Sequence, residues 1–211
     1  PPIDLETGTT YFWKVSSNQY DIQEGAAMGG SAYWMFTTVP NTDQLYPMID
    51  GQITDHRTLI PENSPYYCSQ NPYTAYGKNL SIDPGVEIQF AENTELLIGG
   101  NLFVKGTEQD SVYFTGYDEQ TQWDGIRYAD NGFERDSLIV NEENGYITGN
   151  IIEFVHFNQC SKVLETDQDI FIANNHFQNF DTGIEIGAGS YVQNSVFQNS
   201  TGTSGERYAV K

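Results

Sequence analysis

Short stretches of alternating apolar and polar residues run along most of the chain, and Gly, Asn, Asp and Ser separate them. Clear examples are "VEIQF", "LFVK", "VYFTG" and "TGIEI". An alternation with a period of two is typical of half-buried β-strands, and no useful window keeps the 3.6-residue period of a helix. The pattern therefore predicts an all-β fold built from many short strands with turns between them.

The pattern repeats at a spacing of twenty residues towards the C-terminal end. "IANNHFQNF" begins at Ile172 and "VQNSVFQNS" begins at Val192, while Phe157, Phe177 and Phe197 fall on the same spacing. A repeat of this length is typical of a solenoid, in which each turn buries its apolar side chains against the next. We expect the three phenyl rings to form one inward column. An antiparallel sandwich, the alternative, gives neighbouring strands no reason to share the spacing.

Polar residues beside the Phe positions repeat in the same way. Two slots carry amide side chains, with Asn158, Gln178 and Gln198 in one and Gln159, Asn179 and Asn199 in the other. We expect these amides to hydrogen-bond along the stack. The pairs Asn174–Asn175 and Asn194–Ser195 share further slots. We expect both pairs to be turn residues that tolerate left-handed backbone.

The first forty residues differ from the rest. "TYFWKVSS" and "SAYWMFTTVP" predict two strands of an antiparallel hairpin with a long Gly-rich loop. They resemble the last strands of a bacterial fibronectin type III module. The matching positions are Leu5, Gly8, Thr10, Tyr11, Trp13, Val15, Trp34, Phe36 and Thr37. The resemblance implies a partial β-sandwich over residues 1–40, with its aromatic residues as core rather than as a sugar platform, followed by a linker over residues 41–50.

The motifs "SIDPGVEIQF", "GNLFVKGT", "VYFTG" and "WDGIRY" follow in that order after Gly51. This ordered set resembles the right-handed parallel β-helices of secreted bacterial surface proteins, which are similar to pectate lyases in architecture. The matching positions are Ile82, Pro84, Gly85, Val86, Ile88, Phe90, Gly100, Leu102, Val104, Gly106, Thr107, Val112, Phe114, Thr115, Trp123, Gly125, Ile126 and Tyr128. The resemblance implies a right-handed parallel β-helix over residues 51–211, with about five or six coils. Such proteins include stalks and adhesins as well as enzymes, so the fold leaves the activity open.

The charge of the chain limits its partners. Its 211 residues include 29 Asp and Glu but 9 Lys and Arg, a net charge of −20. Nucleic-acid binding needs a basic surface, and anionic lipid would repel this chain, so we expect neither partner. An acidic surface fits an extracellular or cell-surface location, where salt screens self-repulsion.

No stretch approaches the roughly 20 apolar residues that span a bilayer. The chain opens with neither Met nor a signal peptide, so we expect a mature piece of a longer protein.

The sequence predicts no catalytic, cofactor-binding or metal-binding residues. Enzymes of this architecture carry carboxylates with an Arg or Lys base, or several Asp, on neighbouring turns. No two basic residues share the twenty-residue register with matching carboxylates. We interpret Asp124 and Arg127 as a surface ion pair or as unpaired. Ca²⁺ stays open as a ligand because carboxylates abound, although no calcium-loop motif supports it. The scattered candidates are Asp167, Asp169, Asp181 and Glu185.

Histidine and cysteine add two further candidates. Adjacent turns would place His156 and His176 about 5 Å apart, close enough to bind a metal ion jointly. Val196 takes the next position and breaks the column, so we interpret the two His as a stacked surface pair. Cys68 and Cys160 are predicted roughly 15–20 Å apart, too far for a disulfide unless the segment around Cys68 runs along the side of the solenoid. Otherwise Cys160 is a small buried filler.

These observations favour a non-catalytic structural or adhesion domain of a larger secreted or cell-surface protein. The C-terminal "RYAVK" is still strand-like, so an uncapped edge could pair end to end with another copy or with further domains of the same polypeptide. Polysaccharide is a further candidate partner. The alternative is a polysaccharide lyase or glycoside hydrolase of the pectate-lyase type. An acidic–basic cluster across three neighbouring turns would favour that enzyme.

Overall fold

The computed structural model describes residues 10–13, 34–37, 47–130, 135–141, 143 and 145–198. The chain divides into two compact units, residues 1–45 and 46–211. In the first unit, Thr10–Trp13 pairs antiparallel with Trp34–Thr37. The predicted antiparallel pairing is confirmed. The side chains of these two strands lie outside the described part of the chain, and the fibronectin resemblance stays a prediction.

Three faces of parallel strands enclose the core of the second unit. The first face consists of Arg57–Leu59, Leu80–Ile82, Leu102–Lys105, Asn150–Glu153, Ile170–Ala173 and Tyr191–Gln193. The second consists of Tyr66–Cys68, Glu87–Phe90, Val112–Gly116, Val155–Glu165, His176–Glu185 and Val196–Gln198. The third consists of Gln52–Ile53, Tyr73–Thr74, Glu95–Ile98 and Gly125–Tyr128. The two longest strands, Val155–Glu165 and His176–Glu185, turn a corner midway, and their C-terminal halves continue the third face.

Strands follow one another on each face in chain order, so one passage over the three faces makes one turn of a solenoid. The solenoid has about six turns, which we number from one to six by their strands on the first face. The predicted all-β fold of stacked parallel coils is therefore confirmed. The described residues contain no α-helix, and Pro61–Asn63 forms a 3₁₀ turn.

A column of aromatic rings fills the core behind the second face. Phe157 lies opposite Phe177, and Phe177 lies opposite Phe197, with ring centroids 5.1 and 4.6 Å apart. Phe114 extends the column into turn three, 5.0 Å from Phe157. Like side chains share a slot because turns about 4.8 Å apart bring ring faces into contact. The predicted column is confirmed.

Left-handed residues form the corners between the faces. Asn174 and Asn194 have φ angles of 57° and 48° before the second face, and Gln159 and Asn179 have 58° and 54° at the next corner. The short Asn side chain tolerates this backbone because it can hydrogen-bond locally. Asn175 is 2% exposed and bonds two backbone groups of the preceding turn. The twenty-residue repeat thus places equivalent residues at the corners of successive turns as well as in the core.

The described residues between 129 and 149 leave the solenoid between turns three and four. Ile139–Val140 pairs antiparallel with Tyr146–Thr148, so this segment forms a hairpin rather than the solenoid strands that its alternation suggested. Its apolar side chains pack against the outer side of the first face, where Ile151 and Phe171 are buried. The Lys105 ammonium lies 4.8 Å from the centroid of the Tyr146 ring. The insertion therefore covers an apolar patch that lies outside the main core.

Candidate functional site

An open groove of about 280 Å³ crosses the outer side of the second face. It is lined by Glu87, Tyr113, Phe114, Thr115, His156, Asn158 and Gln178. These residues belong to turns two to five, so the groove extends roughly 15 Å across the strands. One side is aromatic and the other carries hydroxyl and amide groups. We call it the Tyr113 groove.

The aromatic side of the groove is a stack along the solenoid axis. The Tyr113 and His156 rings are nearly parallel, with centroids 5.0 Å apart, and Tyr113 is 45% exposed. His176 follows at 5.5 Å from His156, edge to face. Its Nε2 lies 3.0 Å from Oε1 of Gln198, and Val196 takes the next position of the column. The two His residues therefore hold adjacent positions of one outward column, as their shared slot predicted. Partial burial, and then the neighbouring His176, lower the pKa of His156.

The polar side of the groove is held by a network of amides. Asn179 Nδ2 donates to Asn158 Oδ1 at 2.8 Å, and Asn158 Nδ2 donates to Gln159 Oε1 at 3.3 Å. The hydroxyl of Thr115 also donates to Gln159 Oε1, at 3.2 Å. The predicted amide bonding along the stack therefore occurs, although it runs between the two amide slots rather than within each. These bonds fix the side chains that face the groove.

A second cluster lies on the outer side of the third face, across turns two to five. Arg127 forms a two-pronged ion pair with Glu95, with N–O distances of 2.9 and 2.5 Å. The Nζ of Lys162 contacts Glu165 at 2.9 Å and Glu185 at 3.0 Å. We call these five residues the charge ladder. It is an acidic–basic cluster of the kind that the enzyme alternative predicted.

Both cations of the charge ladder are held in their protonated forms. The hydrogen bonds that Arg127 donates to Glu95 raise the pKa of Arg127. Those that Lys162 donates to Glu165 and Glu185 raise the pKa of Lys162 against an opposing effect of burial. A lyase base must lose its proton near the working pH, and these ion pairs work against that. The side chains are 21–58% exposed, so we expect each pair to contribute at most about 1 kcal/mol to stability.

Counting in steps of twenty missed the charge ladder because the turns are longer there, with 30 positions from Leu97 to its partner Arg127 and 38 from Arg127 to its partner Glu165. Arg127 lies opposite Glu165 on the next turn, with residues 129–149 between them in sequence. Arg127 does not pair with Asp124, which accepts a hydrogen bond from the Ser161 hydroxyl at 3.1 Å. Aligning "ELLI", "GIRY" and "VLE" by their apolar positions, instead of by a fixed count, would have placed the cluster.

The four acidic candidates for a Ca²⁺ site do not converge. Gln168 donates a hydrogen bond to Asp167, the N–H of Gly189 donates to Asp169, and Gln122 donates to Asp181. Glu185 belongs to the charge ladder. Within the described ranges, no group of three or more His, Cys, Asp or Glu side chains is placed to hold a metal ion.

Both cysteines are free thiols in the core. Cys68 and Cys160 are thus unbonded, and Cys160 is the buried filler that the sequence offered as the alternative to a disulfide. Burial raises the pKa of Cys160 to about 12 and raises that of Cys68 well above its ordinary value.

We expect both thiols to resist a thiol-reactive chromogenic disulfide in the folded chain at about pH 8, because the thiolate is the reactive form and burial disfavours it. Absorbance of the released chromophore should stay near zero until denaturant is added, and should then correspond to two thiols per chain. Rapid release from native protein, assigned with Cys68→Ser and Cys160→Ser, would contradict their buried placement.

No protein-family model, curated protein or solved structure matches this chain. Across the described residues, no helix has the length and apolar character to pass through a membrane.

Proposed function

We propose that this chain is a non-catalytic extracellular or cell-surface domain that attaches its parent protein to a neutral polysaccharide. The observation that supports this function is the Tyr113 groove, where an exposed aromatic wall faces a wall of hydroxyl and amide groups. Sugar rings present both matching surfaces. Their C–H faces pack against aromatic side chains, and their hydroxyls exchange hydrogen bonds with amides.

The shape of the groove suits a linear ligand. It crosses four turns of the solenoid, and its polar side chains recur at the spacing of the turns. A rigid array of this kind can contact several sugar units of one extended chain with little ordering cost, because the amide network already holds the side chains. Many weak contacts of one kind suit adhesion, because several copies of a domain that bind the same polysaccharide at once reach a high overall affinity.

The charge of the chain favours a neutral ligand over an acidic one. The net charge is −20, and Glu87 stands at one end of the groove. A polysaccharide of uronic acids would meet repulsion from both. End-to-end self-association belongs to the same proposal. The strand edge predicted for it, "RYAVK" at residues 207–211, lies outside the described part of the chain.

A depletion assay tests this function. The full chain is incubated with insoluble neutral polysaccharides, such as cellulose, chitin and β-glucan, and with pectate and alginate gels, with Ca²⁺ or with chelator. We expect the chain to leave the supernatant on at least one neutral polysaccharide, without release of soluble sugar. Tyr113→Ala should weaken that binding about tenfold, because it removes the exposed ring of the aromatic wall.

Tyr76→Ala is the matched control for this assay, because Tyr76 is 57% exposed and does not line the groove. It should bind like the unmodified chain. Equal binding by the Tyr113 and Tyr76 variants would contradict the groove as the contact surface. Retention on the acidic gels alone would contradict the neutral ligand.

The charge ladder favours a second candidate, a glycoside hydrolase. Glu165 and Glu185 contact one Nζ, so their carboxylates lie within about 6 Å of each other, near the separation of about 5–5.5 Å in retaining enzymes. Lys162 compensates both charges, and the three side chains are 31–58% exposed to water, so the Tyr113 groove is the stronger candidate site. In the same assay, sugar release that is lost in Glu165→Gln and kept in Glu108→Gln would overturn the non-catalytic proposal.

A further inference from the structure

We propose that His156 and His176 form a binding site for a divalent transition-metal ion, with Cu²⁺ as the preferred ion. The two residues hold the same position on turns four and five, and their ring centroids are 5.5 Å apart. This inference goes beyond polysaccharide attachment and does not depend on it.

The spacing of the two rings suits joint coordination. A metal ion binds imidazole nitrogen at about 2.0–2.1 Å, so two imidazoles on adjacent coordination positions have their centroids roughly 5 Å apart. The rings of His156 and His176 are already within about half an ångström of that value. Their planes differ by 73°, and a rotation of the half-buried His176 ring would bring a nitrogen of each ring towards one point.

Neighbouring side chains orient the two rings in the way that metal-binding His residues require. Tyr113 packs flat against the face of His156, on the opposite side from His176, and so restricts its rotation. Gln198 Oε1 lies 3.0 Å from Nε2 of His176. When Nε2–H donates to that carbonyl oxygen, the lone pair for the metal lies on Nδ1. A second ring nitrogen bonded to a carbonyl oxygen is the usual partner of a metal-binding imidazole.

The chemistry of the two rings also selects the ion. Imidazole binds a metal through a ring nitrogen in its neutral form. Nitrogen ligands of this type bind Cu²⁺ more tightly than Zn²⁺ or Ni²⁺, and they have little affinity for Ca²⁺. The groove is open, so water can complete the coordination.

Electron paramagnetic resonance of the full chain with one equivalent of Cu²⁺ tests the site. We expect the signature of two equatorial imidazole nitrogens, and binding at least about tenfold weaker in His156→Phe and in His176→Ala. His156→Phe removes the nitrogens while leaving a ring against Tyr113, so loss of binding would not reflect loss of the stack. The control is His56→Ala on turn one, where His56 accepts a hydrogen bond from the N–H of Asn79. It should keep the two-nitrogen spectrum.

Val196→His offers a gain of function at the next position of the column. Val196 lies opposite His176 and is 47% exposed. A third imidazole there should tighten Cu²⁺ binding by about tenfold or more and add a nitrogen to the spectrum. A one-nitrogen spectrum for the unmodified chain, or unchanged affinity in the double variant of His156→Phe and His176→Ala, would overturn the proposal. The polysaccharide depletion assay, carried out without metal, tests the Tyr113 groove independently of the Cu²⁺ site.

Discussion

Gly125→Ala is expected to lower the free energy of unfolding by about 4 kcal/mol or more, or to prevent folding. Gly125 has a φ of 102°, beyond the left-handed region that L-residues tolerate. A Cβ at this position would overlap the carbonyl oxygen of Lys162 on the next turn. That oxygen belongs to backbone within the parallel stack, so it cannot move aside without separating turns three and four. Urea denaturation followed by circular dichroism measures the loss.

Gly51→Ala is the matched control for this substitution. Gly51 also has a positive φ, 68°, but an added Cβ meets no atom within 4 Å. It should therefore cost about 1–2 kcal/mol, the penalty of left-handed backbone alone. A similar loss in both variants would show that the close approach of the turns at Gly125 has no energetic weight.

The sequence predicted the stacked coils because identical packing demands recur on successive turns. In turns four to six the spacing is twenty residues, and Phe157, Phe177 and Phe197 take equivalent core positions. Each ring has a ring above or below it, so each slot selects the same side chain. The corner residues Asn174 and Asn194 repeat for a comparable reason, since each adopts a left-handed conformation.

The earlier turns and the insertion were harder to predict. Strand partners on turns one to three lie 22 to 30 positions apart, and a contact between turns three and four joins Leu102 to Asn150, 48 positions later. Loops on the surface tolerate such changes of length, because only the strands must stay in register. A fixed count therefore placed the column of Phe residues correctly and missed the charge ladder.

The sequence singled out only some residues of the Tyr113 groove, because outward positions carry little packing information. His156 and His176 were found because they share a slot, but Tyr113 was not associated with them. Tyr113 lies opposite His156 across the insertion, so no fixed spacing connects the two. The alternation of each strand shows which residues point outward, and only the register between turns shows which of them meet.

Phe157→Ala is expected to lower the free energy of unfolding by about 3–5 kcal/mol. Phe157 is fully buried in turn four, with Phe114 and Phe177 at centroid distances of 5.0 and 5.1 Å on either side. Removing the ring leaves a cavity that the two neighbours cannot both close. Since each turn of a solenoid is stabilised mainly by its neighbours, turns five and six should then unfold before the rest. We expect the urea transition to broaden, with a lower apparent m-value.

Two further variants test whether the loss of stability comes from the buried ring column rather than from any substitution on the second face. Phe157→Leu keeps most of the buried volume and should cost about 1 kcal/mol. Tyr113→Ala removes an outward ring that is 45% exposed, and it should also cost no more than about 1 kcal/mol. If Phe157→Ala cost no more than Tyr113→Ala, the ring would not be confined between its neighbours. The stacking of turn on turn, rather than pairing within each turn, would then fail as the main source of stability.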